Sequence, residues 1–358
     1  MTHHIRLRQP AAGAAGLLFV LPVFLVLVFA AGGAETALRV VGPVATFGLP
    51  TVAMIAFWWD DWPGTGLPGE WSAVTDTVMA LVAAVLFTLL GQAVIDRVDV
   101  TALVHPYPGP GHTAIWPATL PLAAGVFTAM LQLTLVGEGF PVRHLPRAAA
   151  GVTALTLCWV VGAAGYLLVV RGHLMEPGAY GAWLTVIGAW QVVPYVALRG
   201  WPITLIRRPH LRRLTGNLVV LGGASLTYLV ARHGAAWPAT RITAIAGCAV
   251  AGSLLVGMLF DSWILDRLRP ASGRATVLGA VVSATAVIYG LLRLCVAGHV
   301  WRPGANTDDW IAFAALNGIG LAIILHVAIW HRWPVTVAED KQTRGTDGAA
   351  APAGTGAN

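Results

Sequence analysis

Three arginines recur at a constant spacing along the chain, each near the end of an apolar run. Arg171, Arg232 and Arg293 are separated by 61 residues each. A guanidinium group presents a planar set of donors that matches a carboxylate or a phosphate. If the helices that carry them converge, these side chains predict one outward-facing pocket for an anion. The alternative is that each arginine reaches separately toward lipid phosphates.

Uncharged polar residues lie deeper in the apolar runs and extend the same hypothesis. They are Gln132, Gln191, Asn217 and Asn317. With the arginines, Gln132, Gln191 and Asn317 predict a polar path for a solute. In a membrane, however, such side chains more often join helices by hydrogen bonds, so both interpretations stay open.

Five histidines lie in connections on the same predicted side as the arginines. They are His105, His112, His173, His233 and His299. Neutral imidazole is a common ligand for zinc or copper, and the thioether of Met175 near His173 suits copper(I). These residues are therefore candidates for an outer-face metal site, although no pair has the spacing of a known metal motif.

Other metal and cofactor signals are weak. His326 and His331 on the last apolar run are too few for a bis-histidine haem unless another helix supplies a ligand. Cys158, Cys248 and Cys295 each stand alone in an apolar run, unlike a disulfide framework or a C-x-x-C site. The sequence identifies no cofactor and no catalytic residue.

The composition predicts the elements that must position these side chains. Of 358 residues 57% are hydrophobic and only 11% are charged, with a mean hydropathy of +0.72. Soluble domains carry roughly 25% charged residues. Apolar runs of about 20 residues are long enough to cross a bilayer as helices. The chain contains ten such runs: 12–34, 39–59, 74–95, 115–137, 148–171, 180–199, 214–232, 241–263, 275–297 and 309–331. We expect an all-α polytopic membrane protein.

Aromatic residues repeat in the register of the arginines. Tyr166, Tyr228 and Tyr289 are 62 and 61 residues apart, and Phe140, Trp201 and Trp263 show nearly the same spacing. Such periodicity indicates parallel two-helix hairpins of about 61 residues. After a first helix at 12–34, the hairpins begin near residues 62, 140, 201 and 263. The aromatic rings suit the headgroup level.

The distribution of basic residues predicts the orientation. With cytoplasmic termini, 15 of the 22 Lys and Arg residues lie inside, in agreement with the positive-inside rule. We expect a cytoplasmic segment 1–11, a single transmembrane domain 12–335 and a disordered cytoplasmic tail 336–358. The first run resembles a signal peptide but is long, so we expect it to be retained. The arginine-rich composition is typical of a GC-rich genome, and the expected location is a bacterial plasma membrane.

Three functional hypotheses follow. The first is a transporter or permease for a small anionic or amphiphilic solute. The second is a membrane-embedded enzyme or redox protein with a histidine-bound metal at the outer face, and the third is a non-catalytic scaffold or accessory subunit. The expected partners are lipid, a small solute, and a membrane protein or a second copy of the chain. The basic net charge of +6 follows from orientation and does not indicate nucleic acid.

Overall fold

The computed structural model describes residues 5–29, 32–68, 70–112 and 114–337. Within these ranges the chain forms ten helical segments, which are numbered here in chain order. They are α1 (Ala11–Phe29), α2 (Ala34–Phe57), α3 (Glu70–Ile95), α4 (Leu120–Val136), α5 (Arg147–Arg171), α6 (Pro177–Val192, continued by Val193–Ala197), α7 (Pro209–Gly234), α8 (Ala239–Leu259), α9 (Pro270–Cys295) and α10 (Thr307–Ile329).

Eight of these helices are long and apolar enough to span a membrane, with mean hydropathies between 1.5 and 2.6. The prediction of an all-α multi-pass membrane protein is confirmed. The shorter helix α4 and the helix α6 are not among the eight. Ten crossings therefore stay a prediction, although each predicted apolar run contains a helix.

The helices form two layers that alternate along the chain. In the most apolar window of α10, 67% of residues are buried, against 22% in both α7 and α9. The even-numbered helices α2, α4, α6, α8 and α10 form an inner ring in which each contacts the next, and α10 contacts α2. The peripheral helices α3, α5, α7 and α9 each pack on the inner helix before them, and α1 packs on α10. The peripheral layer leaves its apolar side chains facing the lipid.

Small residues let the two layers approach closely. A Cβ atom on Gly162 of α5 would lie 2.7 Å from the backbone nitrogen of Val126 on α4. No larger side chain fits there without a shift of the backbone. Close approach through glycine and alanine is the usual way that helices associate in lipid, where no hydrophobic effect drives them together.

All five inner helices end with the same backbone conformation. Two consecutive residues with positive φ follow each helix and precede an aromatic residue. The pairs are Asp60–Asp61, Glu138–Gly139, Arg199–Gly200, Asp261–Ser262 and His331–Arg332, and the aromatic residues are Trp62, Phe140, Trp201, Trp263 and Trp333. These five segments lie at one end of the bundle, because the inner helices run in the same direction.

The two ends of the described chain meet beside these segments. Strand β1 (Ile5–Leu7) pairs in parallel with strand β2 (Val335–Val337). We call this end of the bundle the terminal face and the other end the opposite face. The predicted disordered tail began at residue 336, but Val337 is paired in β2, and the remaining tail 338–358 lies outside the described residues.

Candidate functional site

The three periodic arginines lie at the opposite face and have different surroundings. Arg171 donates a hydrogen bond to the carbonyl of Ile95 at the end of α3. Arg232 donates to the carbonyl of Trp237 in its own connection, at 3.2 Å. Arg293 has no hydrogen-bond or ion-pair partner among the residues that the structure describes. Three residues of the same type and spacing therefore differ in their hydrogen-bond partners.

Two separate cavities contain arginines from this set, so Arg171 and Arg293 do not share one pocket. Cavity A, of about 600 Å³, lies between α8, α9 and the start of α10, and its walls include Arg241, Arg293 and His299. Cavity B, of about 640 Å³, lies between α3, α5 and α6 and includes Arg171 and His173. Arg232 lines neither cavity.

The charges in cavity A leave one cation unbalanced. Asp308 accepts a hydrogen bond from the hydroxyl of Tyr289 at 3.0 Å, and its other oxygen lies 3.6 Å from Nε of Arg241. That Nε is buried without a hydrogen-bond partner among the described residues. The one carboxylate is thus engaged by Tyr289 and Arg241, and the guanidinium of Arg293 stays available for a second anion.

Aromatic side chains form the wall of cavity A at the level of the helix ends. The ring of His299 packs edge-on against Trp301 with centroids 4.4 Å apart. The Nε1 atom of Trp301 donates to the hydroxyl of Thr307 at 3.0 Å. Asn306 and Asp309 close the start of α10 with a reciprocal capping box. The box occupies the backbone nitrogens of Asn306 and Asp309, and the arginines are the charged donors that the cavity offers to an anion.

Cavity B has a different charge balance. Its walls include Asp96, Glu176 and the apolar side chains of Val170 and Met175. Because Arg171 already binds the carbonyl at the end of α3, its guanidinium stabilises the end of a neighbouring helix. With two carboxylates and one engaged cation, cavity B is less suited to an anion than cavity A.

The buried polar residues are joined to one another or to the backbone. Gln191 donates to the side chain of Gln132 at 2.6 Å, and Gln132 donates to Asn217 at 2.8 Å. Asn317 donates to the hydroxyl of Thr46 at 2.9 Å and to the carbonyl of Gly42 at 3.2 Å. These bonds link α4, α6 and α7 in one cluster and α2 and α10 in another. The side chains of the predicted path therefore connect helices and do not form one continuous line.

The candidate metal ligands are dispersed. His112 contacts a carboxylate oxygen of Asp99 at 2.9 Å, His173 lines cavity B and His299 lines cavity A. His105 lies in the long connection before α4, and His233 ends α7. In residues 5–29, 32–68, 70–112 and 114–337, no three metal-ligating side chains come together.

The two histidines considered as haem ligands lie in different surroundings from each other. His326 is buried, with its ring stacked on Phe19 at 4.8 Å between centroids. His331 lies beyond the end of α10, where its Nε2 atom is 3.3 Å from a carboxylate oxygen of Asp61.

A belt of ion pairs at the terminal face has no counterpart in the sequence analysis. Arg332 contacts Asp261 at 2.5 Å and donates to the carbonyls of Leu259 and Met258. Arg199 binds both carboxylate oxygens of Asp266, at 2.6 and 2.8 Å. The signal that could have revealed this belt is the mixture of acidic and basic residues at equivalent positions after the inner helices.

The belt continues around the ring. Glu138 forms a two-point contact with Arg212 and also lies 3.4 Å from Arg213. The hydrogen bond from Arg212 holds the pKa of Glu138 below its usual value, and the bond from Arg199 does the same for the pKa of Asp266. These groups stay ionised, so the belt is a set of charge pairs that ties neighbouring segments together.

Comparison of the chain with protein-family models, with curated proteins and with solved structures finds no match. Function must therefore be inferred from the helices, the two cavities and the belt. What they support directly is a multi-pass membrane protein that contacts the lipid bilayer through its apolar helices.

Proposed function

We propose that the protein transports an amphiphilic anion and that cavity A binds its charged headgroup. The observation that carries this proposal is the guanidinium of Arg293, which lines the cavity and has no partner among the described residues. A cation without a partner near the end of a membrane helix is a candidate for ligand binding. Arg241 lines the same cavity and is ion-paired with Asp308 through its Nε atom, so it adds positive charge beside Arg293.

The position of cavity A favours a ligand with an apolar tail. Leu294 lines the cavity and is 71% exposed on a peripheral helix. Val300 on the adjoining connection is also strongly exposed. An anion with a hydrocarbon tail would place its headgroup at Arg293 and its tail along these residues in the lipid. A small hydrophilic anion would gain nothing from that apolar surface.

The arrangement of the buried amides supports the same choice. A hydrophilic solute needs a polar route across the bundle, and the amides of the inner ring are engaged in bonds between helices. An amphiphile needs no such route, because its tail stays in lipid while only its headgroup follows the protein surface.

We further propose that the inner helices and their partners are copies of one hairpin and that all ten helices cross the membrane. The shared backbone conformation after five inner helices supports this. The excess of basic residues at the terminal face supports a cytoplasmic location for that face and for both termini. Cavity A would then face the outside of a bacterial plasma membrane.

Binding and transport can be tested with a fluorescent short-chain phosphatidic acid as the probe. The purified protein is placed in liposomes, and the movement of the probe between leaflets is followed by quenching from outside. We expect Arg293→Ala to weaken binding of the probe about 10- to 100-fold, since a hydrogen bond to a charged group contributes about 1.5–3 kcal/mol. Flux at low probe concentration should fall by a similar factor.

Arg232→Ala is the matched control, because Arg232 shares the sequence position of Arg293 but lines neither cavity. It should bind and move the probe as the wild type does. Equal binding by the wild type and Arg293→Ala would contradict the assignment of the headgroup site. If Arg293→Ala loses binding but the wild type moves no probe between the leaflets, the protein binds the lipid without transporting it. That result would contradict the proposal of transport.

A further inference from the structure

A second candidate site lies at the terminal face, where α2, α3 and α10 meet. Asp76 lies on α3 and is fully buried. One of its carboxylate oxygens accepts a hydrogen bond from the backbone nitrogen of Gly64 at 3.2 Å. The other oxygen has no hydrogen-bond partner among the described residues. An ionised carboxylate in such surroundings is costly unless a cation or further donors offset its charge.

The charged groups that face Asp76 do not supply that cation. They are Asp61, which follows α2, and His331, which follows α10. The imidazole of His331 is already paired with Asp61 at 3.3 Å. One oxygen of Asp61 is itself buried without a hydrogen-bond partner in the described part of the chain. Two carboxylates therefore share one histidine, and the pair is short of one positive charge.

The three side chains form a graded series from solvent to the interior. The side chain of His331 is 61% exposed, that of Asp61 is 18% exposed and Asp76 is fully buried. The hydrogen bond from the indole of Trp330 to the hydroxyl of Thr77, at 3.2 Å, holds α10 against α3 beside this series.

We propose that Asp76 is a proton-binding site that is loaded from the terminal face through His331 and Asp61. In this relay, His331 takes a proton from water and donates it from Nε2 to the Asp61 carboxylate. Asp61 then passes a proton to the unpartnered oxygen of Asp76, and His331 is free to accept another. No other reactant is needed, and the bound proton supplies the missing positive charge.

The site does not depend on the anion cavity, which lies at the other end of the bundle. If the protein is a transporter, a carboxyl group that gains and loses a proton inside the helix bundle is the kind of group through which a proton gradient drives movement. The geometry thus places a buried ionisable group on α3, within the apolar run 74–95 that the sequence predicts as a helix.

Infrared spectroscopy of the full chain in lipid nanodiscs tests the proposal. A protonated carboxyl group gives a C=O stretching band separate from that of a carboxylate. We expect a band from a carboxyl shielded from water in the wild type and its loss in Asp76→Asn. Asp60→Asn should keep the band, because Asp60 is exposed and lies in the same connection beside Arg147. An unchanged band in Asp76→Asn would overturn the proposal.

If Asp76→Asn does not fold, Asp76→Glu provides the same test, since a longer side chain must shift the band. An unshifted band in that variant would also overturn the assignment. A carboxylate that stays ionised at every pH and needs Na⁺ or K⁺ for stability would replace the proton with a metal cation and contradict the proposal.

The route is tested by a pH jump followed in time. We expect His331→Gln to slow the appearance of the Asp76 band about 100-fold, within the range that a positioned acid or base contributes to proton transfer. The final amplitude should match that of the wild type. Loading at the wild-type rate would exclude His331 from the route.

Discussion

At the terminal face, the charged residues of the five positive-φ pairs all have partners on other segments, whereas at the opposite face Arg293 has none among the described residues. The first arrangement ties each inner helix to a neighbouring segment. The second leaves a cation directed into a cavity. The difference indicates that the terminal face stabilises the bundle and that the opposite face binds a ligand.

The aromatic residues strengthen this contrast. At the terminal face, Arg213 and Arg274 from neighbouring segments cover Phe140 and Trp201, with guanidinium carbons 4.8 Å from the ring centroids. Arg267 of the same connection covers Trp263 at 5.0 Å. In cavity A the aromatic pair of His299 and Trp301 lines the cavity beside Arg293, which has no partner among the described residues. The aromatic groups of these three inner-helix ends thus take part in closure, and those of cavity A form a wall of the candidate binding site.

The largest effect that would test this comparison is expected from Arg332→Ala. Arg332 is mostly buried and satisfies two backbone carbonyls and Asp261. Its loss removes the charged donor from all three acceptors, and among the described residues only Leu259 and Asp261 keep a second, neutral donor in Gln9. The free energy of unfolding should therefore fall by about 3 kcal/mol. Denaturant unfolding in detergent measures this. Arg232→Ala at the opposite face should stay within about 0.5 kcal/mol of the wild type. Equal losses in the two variants would remove the distinction between the faces.

A smaller loss is expected from Glu138→Gln. Glu138 binds Arg212 at two points, and because the pair is partly exposed to solvent its contribution to stability should be smaller than that of Arg332. Because the pKa of Glu138 is lowered, its contribution is present above its usual pKa and is lost as the pH falls through the lowered value. Unfolding measured from neutral to acidic pH should show a shallower loss in Glu138→Gln. A parallel loss in both proteins would contradict the role of this pair.

The sequence predicted the helices well because a membrane crossing requires about 20 mostly apolar residues. A single polar or charged residue does not remove that signal. It failed on the belt for a physical reason. Charge pairs between neighbouring copies require opposite signs, so Arg199 and Asp261 differ in charge although they occupy equivalent positions. A search for identical residues at equivalent positions therefore does not detect these pairs.

The periodic arginines show the reverse case, in which identical residues at equivalent positions have different roles. Arg171, Arg232 and Arg293 are identical and evenly spaced, yet Arg171 binds the end of a neighbouring helix, Arg232 binds its own connection and Arg293 lines a cavity. Spacing determines the helix end at which a side chain lies. It does not determine what the adjacent helix presents to that side chain, and this decides whether the arginine stabilises a helix end or binds a ligand.

A packed cluster of charged residues holds the connection before α4 at the opposite face. The ring of Tyr107 lies between the guanidiniums of Arg39 and Arg302, at 4.7 and 4.5 Å. Burial and a hydrogen bond to Glu35 raise the pKa of Tyr107. Two cation–π contacts of about 0.5–1 kcal/mol each hold the connection before α4 in place. Tyr107→Ala should therefore speed hydrogen exchange in residues 97–112 about 5- to 30-fold.

Tyr107→Phe is the control, because it keeps the ring and loses only the hydroxyl. It should retain most of the protection of residues 97–112. If hydrogen exchange in Tyr107→Ala matches that of the wild type, other contacts hold this connection. The opposite face would then resemble the terminal face in how firmly its connections are held.

The smallest effect is expected from the pair of His331 and Asp61, which is partly exposed. The hydrogen bond to Asp61 raises the pKa of His331 above its usual value. The contribution of the pair is therefore fully present below the usual histidine pKa and is lost as the pH rises through the raised value. Unfolding measured between about pH 6 and pH 9 should show a loss of at most about 1 kcal/mol in the wild type and none in His331→Gln. High salt should reduce the difference between the two proteins.

Since Glu138 loses its contribution on the acidic side and His331 on the alkaline side, the terminal face should be most stable between the two transitions. A single slope across the whole range would show that the charge pairs do not control closure at this end.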